Sequence, residues 1–474
     1  MGEPLQAARR PEQLPIWKDI MKGIYTMATV TPVPTKGKAP TRPSKSQARF
    51  AFTILLIINI LNYADRYVLP AILSKIHLAP KFGGLGLTTG QLGLIGSSFL
   101  LVYAFATLPL GIWADRSSRK NIVALCVGIW SIATVLAGIT RNFVQLFSVR
   151  AILGIGEAGY APATLSLLGD YFPKERRGRT FSYWSAGQLI GVAIGFTIGG
   201  LVAEYLGWRW AFYVVGIPGL LAAFLAWRMV EPQRGAFEHD DEEVEAVDAE
   251  GMNGHGSIGK DFWASAKRLL HIPTYWTLLG AFTFSFFTIG GVSFWLPFYF
   301  SETFHLTAAK AGIISGAVLV GGGLLGTLIG GRLADYIQRR RPEGRLMTAM
   351  VGFLVGAPLA LLGLTLHNLA LFIAVIVVAI TFLSFCTGPL NAVIQDVVIP
   401  DVRATAMGLA LLLAHLLGDA AAPGIIGFIA ERYTLAVALV TAAPTCLFLA
   451  GLVCLLGLRT VARDMRRMKE QMRG

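Results

Sequence analysis

Ionisable side chains stand inside apolar stretches of this chain, where each costs about 2.5–3.5 kcal/mol to hold at membrane depth and is a functional candidate for that reason. The first such stretch carries Asn59, Asn62, Tyr63, Asp65 and Arg66. On a helix, Asn62 stands three and four positions from Asp65 and Arg66, so these polar groups share one flank. A carboxylate near a guanidinium in a low-dielectric setting can work as a proton switch, because protonating the acid frees the cation to bind an anion or another carboxylate. The competing reading is an interfacial charge pair at a helix end. The apolar run Val68-Leu-Pro-Ala-Ile-Leu73 that follows Arg66 argues for depth instead. A second stretch sets Arg150, Gly154 and Glu157 at i, i+4 and i+7, one stripe of one helix face. Glu157 falls mid-span and needs a partner, while Arg150 suits a gating role and a substrate contact equally. A third pair, His415 and Asp419, stands at i and i+4. A helix-start cap or a packed core histidine explains that pair as well as a cavity role does.

The elements that must position these groups are membrane helices. The chain has 474 residues, 54% hydrophobic and 15% charged, with a mean hydropathy of +0.59. About twelve apolar runs reach the roughly 20 residues needed to span a bilayer. A soluble helical protein cannot hide so many. Six runs lie within 50–229 and six within 273–459, which predicts an all-α membrane protein of twelve transmembrane helices in two six-helix bundles. The remaining segments read as an N-terminal segment (1–49), a linker (230–272) and a basic tail (460–474). Eight acidic residues fall between Glu238 and Glu250 in the linker, a composition that favours solvation over packing.

The net charge of +13 invites a nucleic-acid reading, but its placement excludes one. Lys and Arg crowd the N-terminal segment and recur at Arg116, Arg119 and Lys120, at Lys174 to Arg179, at Arg339 to Arg341 and at Arg463 to Arg467. Alternating helices put all of these on one side, the positive-inside pattern, so both termini are expected in the cytoplasm. Residues 1–20 have no apolar core of the signal-peptide kind. Alanine and glycine richness points to a bacterial source and hence an inner-membrane location. The four cysteines are scattered through apolar runs with no metal-ligand spacing. HExxH, GxSxG and P-loop patterns are absent too, so neither a cofactor nor an enzyme is expected.

A polar motif occurs twice, 220 residues apart: Gly111-Ile-Trp-Ala-Asp115 with Arg119, and Gly331-Arg-Leu-Ala-Asp335 with Arg339. Elsewhere the halves match at an offset of 227, pairing Pro70 with Pro297, Pro162 with Pro389, and Gly200-Leu-Val-Ala-Glu204 with Gly427-Phe-Ile-Ala-Glu431. A repeat of this period means two copies of one large helical unit. Asp115 and Asp335 are expected at helix ends, where a carboxylate caps a neighbouring helix N-terminus. Arg119 and Arg339 would complete a charge network that holds one face shut. At the 227 offset, Asp65, Arg66 and Glu157 correspond to Val292, Ser293 and Ser384, so proton chemistry is concentrated in the first half. Glycines at 187, 191, 195 and 199, and at 322, 326 and 330, form ladders that let helices approach closely. The GxGxxG at Gly154-Ile-Gly156-Glu-Ala-Gly159 lacks a preceding strand and is not a dinucleotide site.

Two parallel six-helix halves with a duplicated motif and a linker resemble the major facilitator superfamily over nearly the whole chain. Within it, three segments resemble the Spinster-like lipid transporters: Asn62-Tyr-Ala-Asp65-Arg66-Tyr, Gly291-Val-Ser-Phe-Trp295-Leu-Pro297, and His415-Leu-Leu-Gly418-Asp419-Ala-Ala-Ala-Pro423. In the last, Ala422 replaces the usual Ser. The resemblance implies alternating-access transport of a lysophospholipid or sphingoid phosphate, with Asp65, Arg66 and Glu157 as proton-coupling residues and Arg66 as the partner of Glu157. Asn62, Tyr63, Arg150, Trp295, His415 and Asp419 are the further cavity candidates. Small organic anions or drugs are the alternative cargo. The six-plus-six design is self-sufficient, which makes a monomer among membrane lipids the expected state.

Overall fold

The computed structural model describes residues 43–237, 267–269 and 271–472, leaving residues 1–42 of the N-terminal segment and the acidic part of the linker outside the described residues. Twelve helices long and apolar enough to cross a membrane are found among them. In chain order they are α1 (Lys45–His77), α2 (Thr89–Arg116), α3 (Arg119–Ala137), α4 (Phe143–Tyr171), α5 (Lys174–Tyr205), α6 (Trp208–Trp227), α7 (Pro273–Thr303), α8 (Ala308–Gln338), α9 (Gly344–Thr365), α10 (Leu369–Val397), α11 (Thr405–Arg432) and α12 (Leu435–Gln471). Polar residues set the starts. Ser44 and Gln47 form a capping box ahead of α1, and Thr88 and Gln91 form one ahead of α2. No strand occurs among the described residues. The chain is therefore an integral membrane protein of helical-bundle type, with the repeated motif and both ends of the described chain on one side.

Glycine decides which helices touch. In α5 a Cβ on Gly191 would sit 2.5 Å from the Ile60 carbonyl, and one on Gly195 2.5 Å from that of Ala64. The first ladder therefore seats α5 against α1. The second seats α8 against α10, where a Cβ on Gly330 would meet Phe385 Cα at 2.6 Å. The GxGxxG glycines serve packing as well. Gly154 lies against Phe99 and Tyr103 of α2, Gly156 against Trp130 of α3, and Gly159 against Cys126.

The two halves close on the side away from the motif, here called the far side. There Gly312 and Gly200 meet Phe196 and Ala308 between α5 and α8, while Gly93 and Gly427 meet Pro423 and Thr89 between α2 and α11. On the motif side Gly111, Gly178, Gly331 and Gly408, on those same four helices, have open space around them. The bundle parts toward the motif side.

At the motif side the charge networks stay inside each half. Arg119 is buried and binds Asp170, Glu231 and the Pro232 carbonyl. Glu231 also accepts the backbone N–H groups of Arg119 and Lys120 at the start of α3, so the chain after α6 is strapped to the first bundle. In the second half the expected cation is replaced. Arg339 is exposed and forms no ion pair among the described residues, whereas Arg345 bridges Asp335 (3.3 Å) and Asp396 (2.7 Å). Six more residues separate acid from cation in this copy, so equal spacing in the sequence picked the wrong arginine. The backbone of Asp115 is helical, but its side chain lies outside the described residues. Past its apolar stretch α12 runs on to Gln471, and its Asp464 accepts from Thr274 N–H (3.0 Å) and the Thr274 hydroxyl (2.6 Å) at the start of α7.

Two identical substitutions within α5 separate packing from helix propensity. Ala is favoured over Gly by about 1 kcal/mol in a helix, so Gly178→Ala, in open space, should hold or raise the melting temperature. Gly191→Ala should lower it by several degrees, because overpacking costs about 1–3 kcal/mol. Thermal unfolding of the detergent-purified protein checks both.

Candidate functional site

Asp65 and Arg66 are consecutive on α1, and successive side chains diverge by about 100° around a helix. They consequently take different partners on α4 instead of each other. Arg66 Nε lies 2.5 Å from Glu157 Oε2, and Arg150 Nη1 lies 3.6 Å from Asp65 Oδ1. Thr134 of α3 donates its hydroxyl to Asp65. The stripe Arg150–Gly154–Glu157 thus presents a base and an acid two turns apart to an acid and a base on α1. Gly154 lets α2 press close beneath them. Asp65 and Glu157 are each 1% exposed and Arg150 2%. Arg66 is the most accessible of the four, with 18% of its side chain exposed.

Charge is balanced in this quartet, but hydrogen bonding is incomplete. Asp65 Oδ1, Glu157 Oε1, and Arg150 Nε and Nη1 are buried without hydrogen-bond partners, as is Asn62 Nδ2 one turn away. Buried polar groups are ordinarily satisfied, so this is a place where a proton or a polar ligand has unused valence to meet. Three aromatic rings surround the Arg66 guanidinium: Tyr63 at 5.2 Å, Phe99 at 5.4 Å and Tyr103 at 4.7 Å. Within about 6 Å, such faces attract a cation without neutralising it. Arg66 is thereby held by one carboxylate and by rings that leave its charge available.

Arg66, Tyr63 and Arg150 line a cavity of about 170 Å³ together with Tyr67 and Phe99, and with Phe286, Ser293, Phe294 and Asp419 from the second half. A larger cavity, about 690 Å³, lies between the end of α12 and the α10–α11 turn, and none of Asp65, Arg66, Arg150 and Glu157 lines it. His415 and Asp419 fall in a π-helical turn in the middle of α11 and bond at 2.9 Å, so a helix-start cap does not explain them. The imidazole faces Phe286 at 5.1 Å and Tyr103 at 6.2 Å, edge to face. Tyr103 therefore touches Arg66 from one half and His415 from the other. Trp295 does not reach this cavity. It is fully buried and donates Nε1–H to the Pro423 carbonyl at 3.1 Å, pinning α7 to α11. Most of the α7 aromatic run packs likewise, leaving Phe286 and Phe294 on the cavity wall. Ser293 lines the cavity opposite Arg66, and Ser384 sits where a short 3₁₀ turn interrupts α10, as Gly159 interrupts α4.

Sequence reasoning missed Thr134, Phe99 and Tyr103. Thr134 is one hydroxyl in an apolar run, and hydroxyls usually bond back to their own helix; this one bonds the Trp130 carbonyl as well as Asp65. Phe99 and Tyr103, at i and i+4, carry a signal only once α2 is known to lie against α4. No cluster of possible metal ligands occurs among the described residues.

The family model described as Major Facilitator Superfamily matches residues 55–423. Protein spinster of Drosophila melanogaster is 28% identical over 415 residues, covering 84% of this chain and 65% of its own length. Protein spinster homolog 3 of Danio rerio is 29% identical over 412 residues, 83% of this chain and 79% of that protein. Among solved structures, a bacterial homolog to the human lysosomal transporter Spinster, in an inward-facing and unoccupied conformation, superposes with a TM-score of 0.73 at 24% identity, covering 90% of this chain and 99% of that one. The nucleoside transporter NupG gives 0.62 at 16% identity, with 87% and 98% covered.

Removing one member of a buried ion pair strands the other at a cost of about 3–5 kcal/mol. Glu157→Ala should therefore strongly lower the unfolding temperature, and the double variant Arg66→Met/Glu157→Gln should recover much of the loss. Thermal unfolding of the wild type and the two variants in one detergent measures that recovery.

Proposed function

The chain belongs to the major facilitator superfamily, and we propose that it is a proton-coupled secondary active transporter that moves an amphiphilic lipid, such as a lysophospholipid or a sphingoid phosphate, by alternating access. The observation that carries this reading is the position of Arg66: one face on the buried carboxylate of Glu157, the rest in an aromatic cage that opens on a cavity shared by both halves. A lipid with one anionic head and one chain needs such a cation and an apolar path beside it, and the exposed Ile289 with Phe286 and Phe294 supplies apolar wall. The lipid class itself is what the Spinster-like segments imply, and similarity to Spinster proteins extends over four-fifths of the chain.

On this reading Glu157 and Asp65 load protons. A proton on Glu157 removes the charge that holds Arg66 and releases the guanidinium to an anionic head group. Deprotonation reverses the exchange. Proton and substrate must then change each other's affinity by the same factor. Arg150 and Thr134 hold Asp65, while Tyr63 and Asp419 line the pocket and His415 bonds Asp419 behind it. The motif residues Gly111, Asp115, Arg119, Gly331 and Asp335, with Arg345, act on the gate and leave substrate choice alone. The protein would work as a monomeric carrier in a bacterial inner membrane with its termini in the cytoplasm, partnered by lipids and protons and not by nucleic acid. A small organic anion is the second reading. It is favoured by the size of the cavity, about 170 Å³ against the 300–1,000 Å³ or so of ordinary ligand pockets.

Substrate-dependent proton movement in proteoliposomes decides between them. Lysophospholipids and sphingoid phosphates should produce a signal, and Asp65→Asn and Glu157→Gln should each abolish it. A signal from small anions with silent lysolipids would overturn the lipid assignment.

A further inference from the structure

The repeated Gly200–Glu204 and Gly427–Glu431 segments find their use on the far side of the membrane. Each ends a helix, α5 or α11, with a glutamate in the last turn. A carboxylate there has the wrong sign for its own helix dipole, whose C-terminal end is negative, so its placement calls for a partner elsewhere. Glu204 finds partners on both halves, and Glu431 lies against the opposite half. Glu204 Oε2 accepts the N–H of Ala308 at 3.1 Å, in the first turn of α8, and lies 2.9 Å from Lys75 Nζ of α1. Gly200, one turn earlier, lets Ala308 lie directly against α5. Across the pseudo-symmetry axis the close approach is repeated. Glu431 Oε2 occupies the space that a Cβ on Gly90 would need, in the first turn of α2. Gly427 lies 2.5 Å, measured from the position its Cβ would take, from the Thr89 carbonyl, and the Thr89 hydroxyl donates to the Gly427 carbonyl at 3.1 Å.

We infer that Glu204 and Glu431 are paired latches that hold the far side closed, each half clasping a helix N-terminus of the other. The glycine permits the approach and the glutamate meets the positive end of the helix that arrives. Opening the far side requires both clasps to release together, because the two halves move as bodies. The latches are positioning residues of the transport cycle and touch no substrate. The inference rests on the alternating-access reading, but it is tested without substrate, so its failure and the failure of the transport assay are separable.

The test is a spin-label distance across the far side, between labels on Arg141→Cys in the α3–α4 loop and His367→Cys in the α9–α10 loop. Both positions are exposed. Full-length protein in lipid nanodiscs is used. Glu204→Gln and Glu431→Gln should each raise the open-to-closed population ratio about two- to fivefold, the range expected for a charge at a helix terminus, and the effects should multiply in the double variant. Gly200→Ala should widen the distance by steric means alone, which keeps the test independent of charge. Glu302→Gln alters another exposed far-side glutamate in a last helical turn, with no partner across the halves among the described residues, and should change nothing. Unchanged distances in both glutamate variants and in Gly200→Ala would overturn the inference. So would widening in Glu302→Gln equal to that in the latch variants.

Discussion

Two acids and two guanidiniums between α1 and α4 set the terms for the rest of the molecule. None of the four could be tolerated alone at that depth, since an isolated buried charge is far more costly than a paired one. Their pairing fixes the register of α1 against α4, with Asp65 opposite Arg150 and Arg66 opposite Glu157. It also requires neighbours that approach without bulk. Gly154 and Gly156 admit α2 and α3, and Gly191 and Gly195 admit α5 on the other flank of α1. Small residues gather around the quartet because charges held this tightly leave no room for the helices behind them to stand off.

The second half repeats the scaffold without the charges. Arg345 with Asp396 mirrors Arg119 with Asp170, and Gly427 with Glu431 mirrors Gly200 with Glu204. Where the first half buries Asp65 and Arg66, the second has Val292 and Ser293, and its polar contribution is the His415–Asp419 pair in a π-turn. Features shared by the halves concern how helices end and meet. Features confined to one half concern the cavity. On the proposed reading, motion belongs to the duplicated parts and selectivity to the unique ones.

Helix number, their grouping into halves and the glycine-lined contacts were legible in the sequence because each rests on a local signal: apolar length, period or spacing. The buried charges were legible for the same reason, since an acid or arginine in an apolar run stands out one residue at a time. What stayed hidden depends on which helices are neighbours. Asp65 and Arg66 look like a pair in the sequence and are not one, because adjacent residues point apart on a helix. Phe99, Tyr103 and Thr134 are ordinary residues until α2 and α3 are brought against α1 and α4. Trp295 has the composition of a cavity wall and is a packing residue. Arg345 escaped notice because the loop that separates it from Asp335 is longer than its counterpart, and a constant spacing pointed to the exposed Arg339.

All four charges of the quartet lie in one half, so rocking the halves about each other need not break either ion pair. The energy of the pairs is then spent on fixing the first bundle, and whatever couples their protonation to movement must pass through groups that reach across. Few contacts near the quartet do so. Tyr103 spans Arg66 and His415, and Phe294 of α7 fills the space beside Gly96 of α2. A change of partner by Arg66 would alter what the Tyr103 ring faces, and the same ring meets His415 of α11. Proton and substrate are thus linked on the proposed reading through an aromatic wall one residue thick, while the distant helix-end clasps determine how much that shift must accomplish before the far side yields.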